Sequence, residues 1–150
     1  MPGVTRQATI HGLSAQQLYD VVTDYERYPG FFTDFTRVVI QNKAENVWTV
    51  EFVAKVVKEV SYTLRIEHDP EALKTKWSFI RGKLISDSTG GWTFTDVNDG
   101  KDARIDYEAA IEVNAPLPKF VKNKIQDAVL NRSIGSMFTQ LEREARKRKG

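Results

Sequence analysis

The residues best placed to do chemistry are hydroxyl-bearing side chains within segments of alternating polarity. Tyr62, Thr75 and Tyr107 each share the phase of apolar neighbours, so each hydroxyl is predicted to point toward an apolar interior. A buried hydroxyl requires a hydrogen-bond partner, because burial without one costs free energy. Two interpretations stay open: the partner is the protein or a trapped water, or it is a carbonyl or hydroxyl group of a ligand.

The usual catalytic groups are sparse. The chain has no cysteine and two histidines, which leaves no thiolate nucleophile and no cysteine-based metal site. His11 is out of phase with Ile10 and should point outward, and His68 falls at a strand end before Asp69–Pro70. Both histidines are interpreted as ordinary surface or strand-end residues. We therefore predict no catalytic residue, no metal site and no cofactor.

The composition limits the class of protein. The 150 residues, 41% hydrophobic and 28% charged, fit one globular domain spanning residues 1–150. A net charge of +2 is too small to imply nucleic-acid binding by itself. Residues 1–10 lack the apolar core of a signal peptide, and no run is long enough for a transmembrane helix. Together with the lack of cysteine, this predicts a cytoplasmic location.

The first 35 residues predict a strand followed by a short helix. The strand covers residues 4–11, and Ser14 with Gln17 forms the capping box that begins the helix. The helix should end before Tyr28–Pro29, since the residue before proline avoids the helical region. An aromatic cluster follows, which is interpreted as core or as the wall of a pocket: Phe31, Phe32 and Phe35.

Alternation with a period of two dominates residues 36–113 and predicts about six antiparallel strands. The clearest example covers residues 60–66. Gly90–Gly91 is interpreted as a turn between two strands, and Asn98–Asp99–Gly100 as a tight turn. Because these strands are segregated from the helices, the fold class is α+β rather than α/β.

One long helix is predicted for residues 116–149, with Pro116 and Pro118 at its start. Its apolar stripe changes side at Asn131–Arg132–Ser133, shortly before Gly135. Two interpretations follow: the helix bends there, or its two halves bury different faces. This helix is the element large enough to cover the apolar face of the sheet.

Three short aromatic motifs, in this order and spacing, resemble the START-like helix-grip superfamily. They are Tyr28-Pro29-Gly30-Phe31, Trp92-Thr93-Phe94 and Leu117-Pro118-Lys119-Phe120. Within the superfamily, the chain is similar to the polyketide cyclase/dehydrase and coenzyme Q-binding START-domain family. The resemblance implies a curved seven-stranded antiparallel sheet wrapped around a long C-terminal helix, with one or two short helices after the first strand. It also implies an apolar cavity between sheet and helix.

The inward side chains of the strands and the helix are predicted to line that cavity. Many are large aromatics, which can border a space without closing it; the same residues could also build a solid core. The predicted ligand-binding residues are Trp48, Phe52, Tyr62, Leu64, Thr75, Trp77, Phe79, Trp92, Phe94, Ile105, Tyr107, Ile134, Met137 and Phe138.

The predicted function is the binding of a hydrophobic small molecule, a lipid or an isoprenoid quinone, without catalysis. Family members also include polyketide cyclases and a branch that associates with the ribosome. The resemblance therefore implies two alternatives, a polyketide aromatase/cyclase and an RNA-associated interaction protein. A basic C-terminal tail could contact acidic lipid or RNA phosphates, or could be a solvated helix end: Arg143, Arg146, Lys147, Arg148 and Lys149.

Overall fold

The structure, a computed structural model, describes residues 1–114 and 116–150. Seven strands and a set of helices are present in these residues. The strands are β1 (Gly3–His11), β2 (Phe35–Ala44), β3 (Val47–Lys55), β4 (Glu59–Asp69), β5 (Lys74–Lys83), β6 (Ile85–Val97) and β7 (Asp102–Val113). The helices are α1 (Ala15–Val22), a 3-10 turn (Tyr25–Arg27), α2 (Tyr28–Phe31), α3 (Lys119–Asp127), a π-helical segment (Ala128–Ser133) and α4 (Ile134–Lys149).

The strands form one antiparallel sheet in the spatial order β1-β7-β6-β5-β4-β3-β2. This curved sheet, with a long C-terminal helix and short helices after the first strand, confirms the predicted α+β helix-grip fold. Neighbouring strands in the sequence are neighbours in space except for β1, which pairs with β7. No helix in the described residues is both long enough and apolar enough to cross a membrane.

The start of α1 follows directly from its sequence. The Ser14 hydroxyl accepts a hydrogen bond from the Gln17 backbone N–H (3.1 Å), and the Gln17 side chain accepts one from the Ser14 N–H (2.8 Å). This is the predicted capping box, which satisfies two otherwise unpaired donors. The helix then buries Leu18, Val21 and Val22, each exposed by 1% or less.

The interpretation of Gly90–Gly91 as a turn is wrong, because both glycines lie inside β6. A Cβ atom at Gly90 would overlap the Trp77 indole and the carbonyl oxygen of Glu108. The position is glycine because an aromatic ring and a neighbouring strand both approach its backbone closely. Strand β5 pairs with β6 only at residues 74–77, opposite residues 90–93, so the two strands diverge beyond Trp77.

The C-terminal helix is helical from Lys119 to Lys149 and so begins three residues later than predicted, after Pro118. The predicted change of face falls in the π-helical segment, Ala128–Ser133. Because its hydrogen bonds span five residues instead of four, a π turn adds a residue and shifts the helix's phase. Residues of both predicted stripes are consequently buried, including Ile125 (1% exposed) and Leu141 (0% exposed).

Candidate functional site

A cavity of about 100 Å³ lies between the sheet and the C-terminal helix. Strands β3 to β7 supply one wall, and the π-helical segment with the first turn of α4 supplies the opposite wall. Side chains from α1, the 3-10 turn and α2 close one side through Val22, Tyr25 and Tyr28. The interior of the molecule is therefore not a solid core.

The structure brings nine of the fourteen predicted side chains together around this cavity. Eight of them are apolar or aromatic residues, and the ninth is a threonine. They are Phe52, Tyr62, Leu64, Thr75, Trp77, Trp92, Tyr107, Ile134 and Met137. Contact between these residues and a ligand stays a prediction.

The other five predicted side chains lie outside the cavity wall. Trp48, near the start of β3, packs on His68, and its Nε1 donates to the Glu45 carbonyl (2.8 Å). Phe94 and Ile105 are buried in the core, and Phe94 stacks on the cavity residue Trp92. The remaining two are Phe79, which is partly buried against the core, and Phe138, a core residue of α4 that stacks on Trp92. A side chain that points to the inner face of a strand or helix therefore does not always line the cavity.

Several cavity residues were missed by the sequence analysis. Tyr25 and Tyr28 were not selected because they belong to the helical corner, where no period-two pattern applies. Ser88 was missed because β6 was expected to begin after Gly90–Gly91. It is in phase with Trp92, so a longer strand would have included it. Phe35 also lines the cavity; it belongs to the aromatic cluster that was interpreted as core or as the wall of a pocket. The further lining residues are Val22, Ala54, Val56, Val60, Ile66, Ile85, Ala109, Ile111, Val129 and Ser133.

Two tyrosines of the cavity have hydroxyl groups that are bound to the protein. The Tyr28 hydroxyl donates to the carbonyl oxygen of Val22, at the end of α1. The Tyr25 hydroxyl is 2.8 Å from Nε2 of His68, whose Nδ1 is 3.0 Å from the Asn46 carbonyl oxygen. Because a carbonyl only accepts, Nδ1 carries the proton, and Tyr25 donates to Nε2. His68 is thus a partner of a buried tyrosine rather than an ordinary strand-end residue.

The hydroxyl groups of the two other cavity tyrosines, Tyr62 and Tyr107, are not bound to a side chain of the described residues. Among the described residues, Tyr62 and Tyr107 make no side-chain hydrogen bond, yet no fully enclosed side-chain nitrogen or oxygen lacks a partner. Their hydroxyl oxygens must therefore touch free space. Both residues line the cavity, where Tyr107 is buried (8% exposed) and Tyr62 is partly buried.

Two serines add polar groups to the wall. The Ser88 hydroxyl accepts from Nε1 of Trp77 (3.3 Å), which leaves its own proton available to the cavity. The Ser133 hydroxyl, in the π-helical segment, donates to the Asp34 carboxylate (2.7 Å). Thr75 accepts from the backbone N–H of Trp92 (3.4 Å). The wall is thus mainly apolar, with a few hydroxyl groups at fixed positions.

The wall carries no formal charge in the described part of the chain, since none of its residues is Asp, Glu, Lys, Arg or His. Burial raises the pKa of Tyr25, Tyr28, Tyr62 and Tyr107, so all four phenols stay neutral. Burial lowers the pKa of His68, which keeps its ring neutral as well. A charged group inside this cavity would find no counter-charge.

The basic tail is largely engaged with the protein itself. Arg146 donates to the His11 carbonyl (2.9 Å), and Lys149 donates to the Gly12 carbonyl (2.7 Å). Arg148 forms ion pairs with Asp24 and with Glu144. These contacts join the helix end to the turn after β1 and to the end of α1. Contact of the tail with lipid or RNA stays a prediction.

Solved structures with the same fold are numerous. The Zhui aromatase/cyclase from Streptomyces sp. R1128 matches with a TM-score of 0.87 and 16% identity, over 99% of this chain and 96% of that chain. A START superfamily protein from Mycobacterium smegmatis matches with a TM-score of 0.80 and 11% identity, over 97% of both chains. A protein of Thermus thermophilus matches with a TM-score of 0.85 and 17% identity, over 99% of this chain and 100% of that chain. At these identities the likeness shows a shared fold.

No protein of curated function matches the sequence. One protein family does match, and its description is polyketide cyclase/dehydrase and lipid transport. The match covers residues 12–138, from the turn after β1 to the second turn of α4, and so includes all the cavity-lining residues. The chain therefore belongs to the polyketide cyclase/dehydrase and lipid-transport family.

Proposed function

We propose that this protein binds a neutral hydrophobic small molecule, a lipid or an isoprenoid quinone, in the cavity between the sheet and the C-terminal helix. The observation that carries the proposal is an interior space whose wall is uncharged and mainly apolar. Apolar area removed from water supplies affinity at about 25 cal/mol per Å². A few hydroxyl groups at fixed positions supply orientation.

The size of the cavity limits what it can enclose. An engineered apolar cavity of about 150 Å³ takes up benzene, so a space of about 100 Å³ matches a single ring or a short chain segment. The cavity is not sealed. A longer guest would therefore place one end inside and extend the rest through the opening.

The test is native mass spectrometry of the purified protein after incubation with a lipid and quinone extract. We expect a non-covalent adduct that is released on unfolding and identified after extraction. The control is Ala54→Leu, which adds volume at a cavity position whose own side chain is buried (3% exposed). No adduct in the wild-type protein, or an equal adduct in a folded Ala54→Leu protein, would contradict the proposal.

An enzyme of the aromatase/cyclase type is a second candidate, and the Tyr25–His68 pair favours it. A phenol that donates to a neutral imidazole, itself oriented by a backbone carbonyl, resembles the arrangement of an acid–base pair. Conversion of a poly-β-keto thioester, lost in Tyr25→Phe and in His68→Asn proteins that still fold, would support this candidate. Absence of turnover in the wild-type protein would leave binding as the function.

A further inference from the structure

Three connections of the chain meet at one edge of the sheet. Strands β3, β5 and β7 run in the same direction, because each is antiparallel to the strands beside it, and so all three end at this edge. The segments 55–59, 80–84 and 117–124, which we call the α3 end, complete or follow these strands. They adjoin, since Lys83 pairs with Ser61 near the start of β4 and the Asn114 N–H donates to the Leu84 carbonyl (2.9 Å).

The large apolar side chains that are exposed in residues 1–114 and 116–150 are concentrated at this edge. Phe120, in the first turn of α3, is 65% exposed, Val57 in the turn between β3 and β4 is 43% exposed, and Ile80 in β5 is 42% exposed. The fourth is Met1, which precedes β1, and the start of β1 lies beside the end of β7. Single exposed apolar side chains are ordinary, but their concentration at one edge indicates a surface that meets an apolar partner.

The α3 end is also strongly basic. Its segments contain seven basic residues and one acidic residue, Glu59, although the net charge of the whole chain is only +2. None of the seven forms an ion pair within the described residues, and Arg81 donates to a neutral group, the Gln41 side chain (2.6 Å). Positive charge still dominates when the neighbouring Asp87–Glu112 pair of β6 and β7 is included. The seven residues are Lys55, Lys58, Arg81, Lys83, Lys119, Lys122 and Lys124.

The basic tail lies at the other edge and has a different environment. Because β1 is antiparallel to β7, the turn at Gly12, to which Lys149 donates, is opposite the α3 end. Arg146 and Arg148 are held there by carboxylates of the protein. The α3 end therefore combines unpaired positive charge with exposed apolar side chains, and the tail does not.

An anionic lipid bilayer fits this combination better than a protein does. Apolar side chains of a peripheral surface enter the boundary between headgroups and acyl chains, while lysines around them keep their charge at the headgroups and cover apolar surface with their stems. Six of the seven basic residues are lysine, which protein–protein interfaces contain less often than other surfaces do. Lysines near an anionic leaflet, in contrast, each strengthen the attachment.

We propose that the α3 end docks on an anionic lipid bilayer, with Phe120, Val57 and Ile80 entering the boundary between headgroups and acyl chains. The seven basic side chains contact the acidic lipid headgroups. Val56, which lines the cavity, lies in the docked segment 55–59, so part of the cavity wall is then close to the lipid. The attachment itself does not depend on what the cavity holds.

Co-sedimentation of the intact protein with vesicles tests the proposal. Vesicles of phosphatidylcholine alone are compared with vesicles of an equal mixture of phosphatidylcholine and phosphatidylserine. We expect the wild type to bind the mixed vesicles more tightly, and less tightly at high salt. The triple variant Lys58→Gln/Lys83→Gln/Lys119→Gln should bind them about a hundredfold more weakly, because each lysine at an anionic surface is worth about fivefold in affinity.

A matched control removes the same charge from the opposite edge. Lys101→Gln/Arg143→Gln/Lys147→Gln changes three exposed basic residues at the turn before β7 and on the second half of α4, and it has the same net charge as the first triple variant. Its affinity for the mixed vesicles should fall by less than about fivefold. All six side chains are exposed, so both proteins should fold, which circular dichroism verifies.

Two further variants test the apolar contact. Phe120→Ser should weaken binding to the mixed vesicles about tenfold, because the ring no longer leaves water on docking. The chain has no cysteine, so Val57→Cys and Lys101→Cys proteins each take one environment-sensitive fluorophore. Mixed vesicles should shift the emission of the label at position 57 to shorter wavelength and leave that at position 101 unchanged.

Three results would overturn the proposal. A wild type that does not bind the mixed vesicles excludes the bilayer and leaves an acidic protein as the partner of this surface. Equal losses in the two triple variants would show that net charge, not the α3 end, drives attachment. Wild-type binding by Phe120→Ser, or equal emission shifts at positions 57 and 101, would show that the apolar side chains do not enter the lipid. None of these results bears on guest binding, which native mass spectrometry measures without vesicles.

Discussion

Four tyrosines border one cavity, and they fall into two pairs. Tyr25 and Tyr28, in the helical corner, have hydroxyls held by His68 and by the Val22 carbonyl. Tyr62 and Tyr107, on the strands, have hydroxyls without a partner among the described residues. The first pair ties the corner to α1 and to the end of β4, whereas the second pair faces the cavity. We therefore propose that the first pair contributes mainly to stability and the second mainly to ligand binding.

The largest difference between the two pairs should come from removing a whole ring. Tyr28→Ala should lower the free energy of unfolding by about 4 kcal/mol, as expected for a fully enclosed aromatic side chain. Tyr62→Ala should cost clearly less, because Tyr62 is only partly buried, whereas Tyr28 is 3% exposed and its hydroxyl is bound to the Val22 carbonyl. Urea denaturation of both variants measures the difference, and equal losses would contradict the division into pairs.

Removing a hydroxyl alone sharpens the comparison. Tyr28→Phe should lower the free energy of unfolding by about 2 kcal/mol, because the buried Val22 carbonyl at the end of α1 loses its side-chain donor. Thermal and urea unfolding measure the loss. A Tyr28→Phe protein as stable as the wild type would show that this hydrogen bond does not hold the corner.

The Tyr25–His68 contact should make stability depend on pH. Burial lowers the pKa of His68 below 6.5, with nearby Lys43 acting in the same direction. The unfolded chain therefore takes up a proton more readily than the folded protein, and stability is lost as pH falls through about 6.5. Urea midpoints at pH 7.5 and 5.5 should differ less in His68→Gln than in the wild type. An identical pH dependence in both proteins would count against the contact.

The smallest change in stability is expected when the hydroxyl of Tyr62 or of Tyr107 is removed. Tyr62→Phe and Tyr107→Phe should each change the free energy of unfolding by less than about 0.5 kcal/mol, since neither hydroxyl has a side-chain hydrogen bond to lose among residues 1–114 and 116–150. Urea denaturation without added ligand is the measurement. A loss near that of Tyr28→Phe would reveal a protein or water partner and would break the comparison.

Sequence patterns predicted the fold because each element carries a strong local signal. The Ser14–Gln17 capping box, the alternation in β4 and β7 and the prolines before α3 each identify an element by its own residues. The phase change in the long helix was visible, but its cause, a π-helical segment, depends on how both halves pack against the sheet. The sequence pattern therefore predicted where the helix changes face, but not that a π-helical segment causes the change.

The cavity was less predictable, because its wall depends on distances between elements. Period-two phase selected Phe52 and Tyr107, which line the cavity, but it also selected Phe94 and Ile105, which are buried in the core and do not line it. The role of Gly90 was hidden for the same reason: only the folded sheet shows that the Trp77 ring occupies the space of a side chain there.

An X-ray structure of a crystal pressurised with xenon tests most directly that the interior is hollow and can hold a guest. Xenon enters apolar cavities of this size. We expect xenon density enclosed by Phe52, Trp77 and Met137, and its loss in Ala54→Leu crystals. A wild-type interior that excludes xenon, with aromatic side chains filling the space, would contradict the account.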